Sequence, residues 1–100
     1  MGYKLTEVAR EDLRAITYYI ALDNEKAAER VYKSVLSTCE QAAEMPGLGR
    51  HPDFIADSNI FYMNVKKFSQ YLIFFKKYAD GIRVLRIIHG ARDLPDIFNK

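Results

Sequence analysis

The chain has 100 residues, 49% apolar and 28% charged, with a net charge of +2. That length suits one hydrophobic core, and a single domain spanning residues 1–100 is expected. The balance of apolar and charged residues excludes a disordered tail, and no stretch approaches the roughly 18 apolar residues that cross a bilayer.

Tyr3-Lys4-Leu5 reads as a short extended segment. Thr6 followed by Glu7 is an N-cap with an acid in the first helical turn. Ala9, Leu13, Ile16 and Ile20 then recur at helical spacing, with Asp12 and Arg14 off that stripe. Asp23-Asn24 interrupts the pattern and can cap a second helix carrying Ala28, Val31, Val35, Cys39 and Ala42 on one side. Met45-Pro46-Gly47 ends it, because the residue before proline avoids the α region. Two amphipathic helices with so short a link predict an antiparallel hairpin.

From Gly47 to Asn59 no apolar period survives, which marks a loop. Three strands are predicted after it: Ile60 to Val65, Gln70 to Tyr78 with the run Tyr71-Leu72-Ile73-Phe74-Phe75, and Ile82 to His89. Asp80-Gly81 supplies a hairpin turn. Gly90 closes the last strand, and Asp93 can cap a short helix beginning Leu94-Pro95. The predicted class is α+β, in the order β-α-α-β-β-β with a short C-terminal helix.

Two helices cover one face of a sheet, yet Tyr71 to Phe75 is apolar on both alternating faces. The spare side chains therefore need a partner or, alternatively, the segment Leu94 to Phe98 folded back over them. Charge is uneven as well: residues 1–45 carry 6 basic and 8 acidic side chains, a net of −2, and residues 46–100 carry 9 and 5, a net of +4. An acidic partner is expected at the second half, while so small a charge argues against strong direct nucleic-acid binding.

Signs of catalysis are few. The sequence has no glycine-rich phosphate loop, no HExxH and no GxSxG, and its histidines are only His51 and His89, so neither a metal nor a cofactor is expected. Cys39 reads as a small core residue. His51 reads as solvated in a polar loop, and His89 as a strand-end imidazole that satisfies a backbone carbonyl. Arg83 and Arg86 are expected on opposite faces of the last strand, and Arg92 can pair with Asp93. Lys66-Lys67 and Lys76-Lys77 read as solvated, edge-protecting charges.

Four segments together resemble ParE toxins of the RelE/ParE superfamily: Ala9-x-x-Asp12-Leu13-x-x-Ile16-x-x-Tyr19-Ile20, Met45-Pro46-Gly47-x-Gly49-Arg50, Tyr71 to Phe75, and Val84 to Leu94. The resemblance implies a helical hairpin on an antiparallel sheet, a ParD-like antitoxin partner and DNA gyrase as target. A cytoplasmic location is expected because Met1 to Leu5 lacks the apolar core of a signal peptide and no stretch could span a membrane. RelE-like members are ribosome-dependent mRNA endonucleases. Tyr71 stands where they carry an arginine and Phe98 where they carry a tyrosine, while Arg92 matches one of their arginines. A phenylalanine transfers no proton and a tyrosine brings no cation to a cleaved phosphate, so the nuclease set is incomplete. A nuclease using Arg92 with Arg83 or Arg86 is the alternative, and a toxin-like antitoxin binder without toxicity the third. The resemblance, joined to the strand pattern, places antitoxin binding on Tyr71, Ile73, Phe75 and Arg86. Target interaction is placed on His89, Arg92, Asp93, Leu94 and Phe98, with no catalytic residue.

Overall fold

The structure is a computed structural model that describes residues 2–92 and 94–98. Its elements are β1 (Gly2–Leu5), α1 (Glu7–Ala21), α2 (Glu25–Glu44), a single 3-10 turn at Pro46–Leu48, β2 (Ile60–Val65), β3 (Phe68–Tyr78), β4 (Gly81–His89) and α3 (Leu94–Phe98). Both long helices begin where side-chain caps were expected. Thr6 accepts a hydrogen bond from the Ala9 amide, and Asn24 accepts one from Ala27. No helix among the described residues is long and apolar enough to cross a membrane.

The sheet runs in the order β1-β4-β3-β2. β2, β3 and β4 are antiparallel neighbours, whereas β1 lies parallel to β4, so the sheet is mixed rather than wholly antiparallel. The helical hairpin is the crossover that a parallel pair requires. Gly81 makes the pairing possible as well as the turn. Its φ is 142°, and a Cβ there would lie 2.1 Å from the Gly2 carbonyl oxygen of β1.

α1 and α2 bury Ile73 and Phe75 of β3, together with Val84 and Ile87 of β4, against Leu13, Val31 and Val35. Thr38 ties this layer to the sheet: its hydroxyl donates to the Ser34 carbonyl and accepts the Lys66 amide at 3.0 Å. Cys39 is fully buried, as expected of a core residue, and burial pushes its thiol up to about 12, so it stays protonated and unreactive.

The opposite face carries Leu72, Phe74 and Ile88, and it too is covered. Phe98 of α3 sits 4.6 Å from Phe74, ring to ring, and Phe54 and Tyr62 close round the same ring at 6.4 and 5.8 Å. Of the two outcomes open to the spare apolar side chains, the folding back of Leu94 to Phe98 is the one observed. The 50–57 segment shares the work through Phe54 and Ile55.

One irregularity redirects β4. Phe74 pairs with Arg86 but Phe75 pairs with Val84, so Leu85 is an extra residue. Arg83 lies opposite Lys76 and Arg86 opposite Phe74, two positions on the same face of β3. The bulge thus places Arg83 and Arg86 on one side of the sheet, where plain alternation had placed them on two.

Candidate functional site

The residues expected to receive the antitoxin do not form an open surface. Ile73 and Phe75 face the helices and are fully buried. The continuous apolar run allowed either register, and the side chains on the opposite face are Leu72 and Phe74. Tyr71 is half-buried on the helix side, with its ring against His89 at 5.2 Å.

Arg86 is engaged inside the chain. β1 ends at Leu5, which leaves the second half of β4 as an edge, and side chains of the α1 region close it. Thr6 donates from its hydroxyl to the Leu85 carbonyl at 3.1 Å. Asp12 accepts from the Ile87 amide at 3.0 Å and from the Arg86 guanidinium at 2.8 Å (Nε) and 3.1 Å (Nη2). Hydrogen bonding to the Asp12 carboxylate raises the Arg86 pKa further, so the guanidinium stays charged. Sequence reading left Asp12 off the apolar stripe and missed this role.

The expected target-contacting residues divide. Leu94 and Phe98 are half-buried over Phe74, and Arg92 is exposed. His89 does bond to backbone, but to an amide rather than the expected carbonyl: its Nδ1 accepts the Ala91 amide at 2.9 Å. Asp93, and with it the Arg92 pair and the α3 cap, lies outside the described residues. His51 is not simply solvated: its Nδ1 is 3.0 Å from the Ile60 carbonyl, which fixes that nitrogen as the donor. The neighbouring lysines are also partnered. Lys76 holds Asp57 at 2.9 Å and keeps that carboxyl below its usual range, and Lys77 lies over the Phe61 ring.

A converging catalytic set is missing among the described residues. No group of three or more His, Cys, Asp or Glu side chains could hold a metal. Arg83 stacks on Tyr78 near the start of β4, whereas Arg92 follows its far end. The six residue steps from Arg83 to His89 span about 20 Å of strand, too far for both arginines to meet one phosphate.

What the surface does offer is a groove on the hairpin. Two adjoining hollows of about 380 and 390 Å³ share Arg14, Thr17 and Tyr32 between α1 and α2. Tyr18 and Tyr32, 67% and 46% exposed, supply its apolar surface. A third hollow of about 650 Å³ lies at the hairpin tip, between Tyr19, Leu22 and Tyr71.

A family model described as the ParE toxin of the type II toxin-antitoxin system parDE matches residues 3–94, from β1 into α3. The chain belongs to this family. Among solved structures, it is similar to one described as the chromosomal ParDE TA system from P. aeruginosa. The TM-score is 0.71 at 19% identity, over 89% of this chain and 95% of that one, which speaks for the fold. A comparison with curated proteins gave no match. As a ParE-family toxin, the chain has an antitoxin partner. The α1–α2 groove is not marked by the apolar core stripes of the two helices. Tyr18 and Tyr32, aromatic residues off the two core stripes, were the available signal.

Proposed function

We propose that the free toxin inhibits DNA gyrase and that a ParD-like antitoxin silences it by laying an amphipathic helix in the α1–α2 groove. Membership of the ParE family carries the first half of this reading. The dispersal of the arginines supports it, since Arg86 is held by Asp12 and Arg83 and Arg92 stand at opposite ends of β4. The second half rests on the exposed rings of Tyr18 and Tyr32, which no element among the described residues covers. Arg10 lines the groove for an acidic residue of a partner, beside Arg14, which pairs with Glu11. Such a contact falls in residues 1–45 rather than in the second half of the chain, which net charge favoured. Burial then supplies most of the affinity and charge the orientation.

Tyr32→Ala is expected to weaken antitoxin binding by about 1–3 kcal/mol, as for an aromatic anchor. Its unfolding midpoint should barely move, and binding should change little between low and moderate salt. Calorimetry at two salt concentrations checks both points.

The C-terminal segment is assigned to the target. Truncation after Gly90 is expected to abolish toxicity while retaining antitoxin binding. Uncovering Leu72, Phe74 and Ile88 should also lower stability by about 1–3 kcal/mol. Both are read from growth on induction and from urea unfolding of the toxin-antitoxin complex. Full toxicity of the truncated chain contradicts the assignment.

The function itself is tested by inducing the toxin without antitoxin. Filamentation with a DNA-damage response supports gyrase as target. Prompt translation arrest points to an mRNA nuclease, and normal growth removes both.

A further inference from the structure

The second sheet face is covered unevenly. α3 and the 50–57 segment sit over Leu72, Phe74 and Ile88 and leave the corner where β1, the start of β4 and the end of β3 meet. There Lys4 pairs in register with Arg83, and Arg83 with Lys76, so cations from three neighbouring strands stand in one row. Tyr3, Leu5, Ile82, Val84 and Phe75, their neighbours along each strand, pack on the helix side, which puts the row on the other. Lys4 and Arg83 are exposed, and among the described residues neither has a carboxylate partner; Lys76 has Asp57. Arg83 lies over the Tyr78 ring, 4.5 Å from its centroid, and Tyr78 as a residue is 41% exposed.

Like charges set directly opposite one another on adjacent strands repel, so this row does not serve the sheet. We propose that Lys4, Arg83 and Lys76, with Tyr78 at their end, form a contact for the phosphate backbone of DNA. An acidic protein segment would need apolar side chains buried between its charges, and the hollow beside the row, which Asp80 also lines, is about 90 Å³. A phosphodiester chain needs none: it presents charges at regular intervals to a flat row whose cations follow the strand spacing of about 4.8 Å. The exposed Tyr78 face, steadied by Arg83, suits a sugar or an unpaired base. Three charges make the contact weak on its own, in keeping with the low net charge. It acts when DNA is presented nearby, and it stands apart from the choice of gyrase as target because it is measured without that enzyme.

The free full-length toxin is titrated with a 20-base-pair DNA duplex across a series of salt concentrations, followed by fluorescence anisotropy. The logarithm of affinity against the logarithm of salt should fall with a slope between about −1.8, for the two unpaired cations, and about −2.7, where phosphate draws Lys76 from Asp57. The double variant K4E/R83E should lose at least about tenfold in affinity at about 50 mM salt, with a slope near −1. The same charge change on α2, K26E/R30E, should leave binding within about twofold. Equal unfolding midpoints exclude a folding artefact, and Lys76→Gln offers a milder variant if the double one fails to fold. Undiminished duplex binding by K4E/R83E, or an equal loss in K26E/R30E, overturns the proposal. So does competition by poly-glutamate as effective as by duplex, which would assign the row to an acidic protein.

Discussion

Phe75→Ala is expected to cost about 3–5 kcal/mol of folding stability, the range for an aromatic removed from a close-packed core. The ring is fully buried, stands 6.1 Å from Phe61, and is so tightly overlaid by the loop that a Cβ on Gly49 would lie 2.6 Å from its Cζ. A domain of this size has about 5–15 kcal/mol in hand, so the variant should be marginal at growth temperature. Urea unfolding measures the loss. The comparison that matters is with antitoxin affinity, because the sequence pattern placed this side chain on the binding surface. A folded Phe75→Ala toxin should bind its antitoxin normally. A variant of parental stability that had lost antitoxin binding would show that β3 presents this face outward.

Asp12→Ala should cost about 2–4 kcal/mol, much more than an exposed helical aspartate warrants. One carboxylate serves three donors, and its loss leaves the Ile87 amide unpaired and the largely buried Arg86 guanidinium without a counter-charge. The penalty should lie in what remains rather than in what is removed. Asp12→Leu combined with Arg86→Met is therefore expected to be clearly more stable than the sum of the two single losses. Thermal or urea unfolding of the four proteins decides it, and simple additivity would mean that the pair contributes no coupling to the β4 edge.

Much of the architecture was legible because it is written locally. The apolar stripes of α1 and α2, the caps at Thr6 and Asn24, and the turn at Gly81 each depend on a few consecutive residues. The faces of the sheet were harder. Tyr71 to Phe75 is apolar throughout, so the strand carries no alternation from which to assign Ile73 and Phe75 to the helices and Leu72 and Phe74 to the other side. The extra residue at Leu85 then reversed the parity between Arg83 and Arg86, and nothing in Val84-Leu85-Arg86 announces a bulge. Asp12 was illegible for a topological reason. Its partners lie 74 and 75 residues away, and the Ile87 amide is free to meet it only because β1 stops at Leu5. The covering of Phe74 was within reach, since Leu94, Ile97 and Phe98 follow helical spacing, but an apolar patch read in sequence suits a partner as well as it suits the chain's own end.

The effect of the free toxin on gyrase is the decisive measurement. Purified toxin added to gyrase, ATP and relaxed plasmid should reduce supercoiling and trap the enzyme in cleaved DNA, seen as linear plasmid after denaturation. Prior addition of the antitoxin should abolish both effects. Undisturbed supercoiling with no linear product, at toxin concentrations that arrest growth, would contradict it.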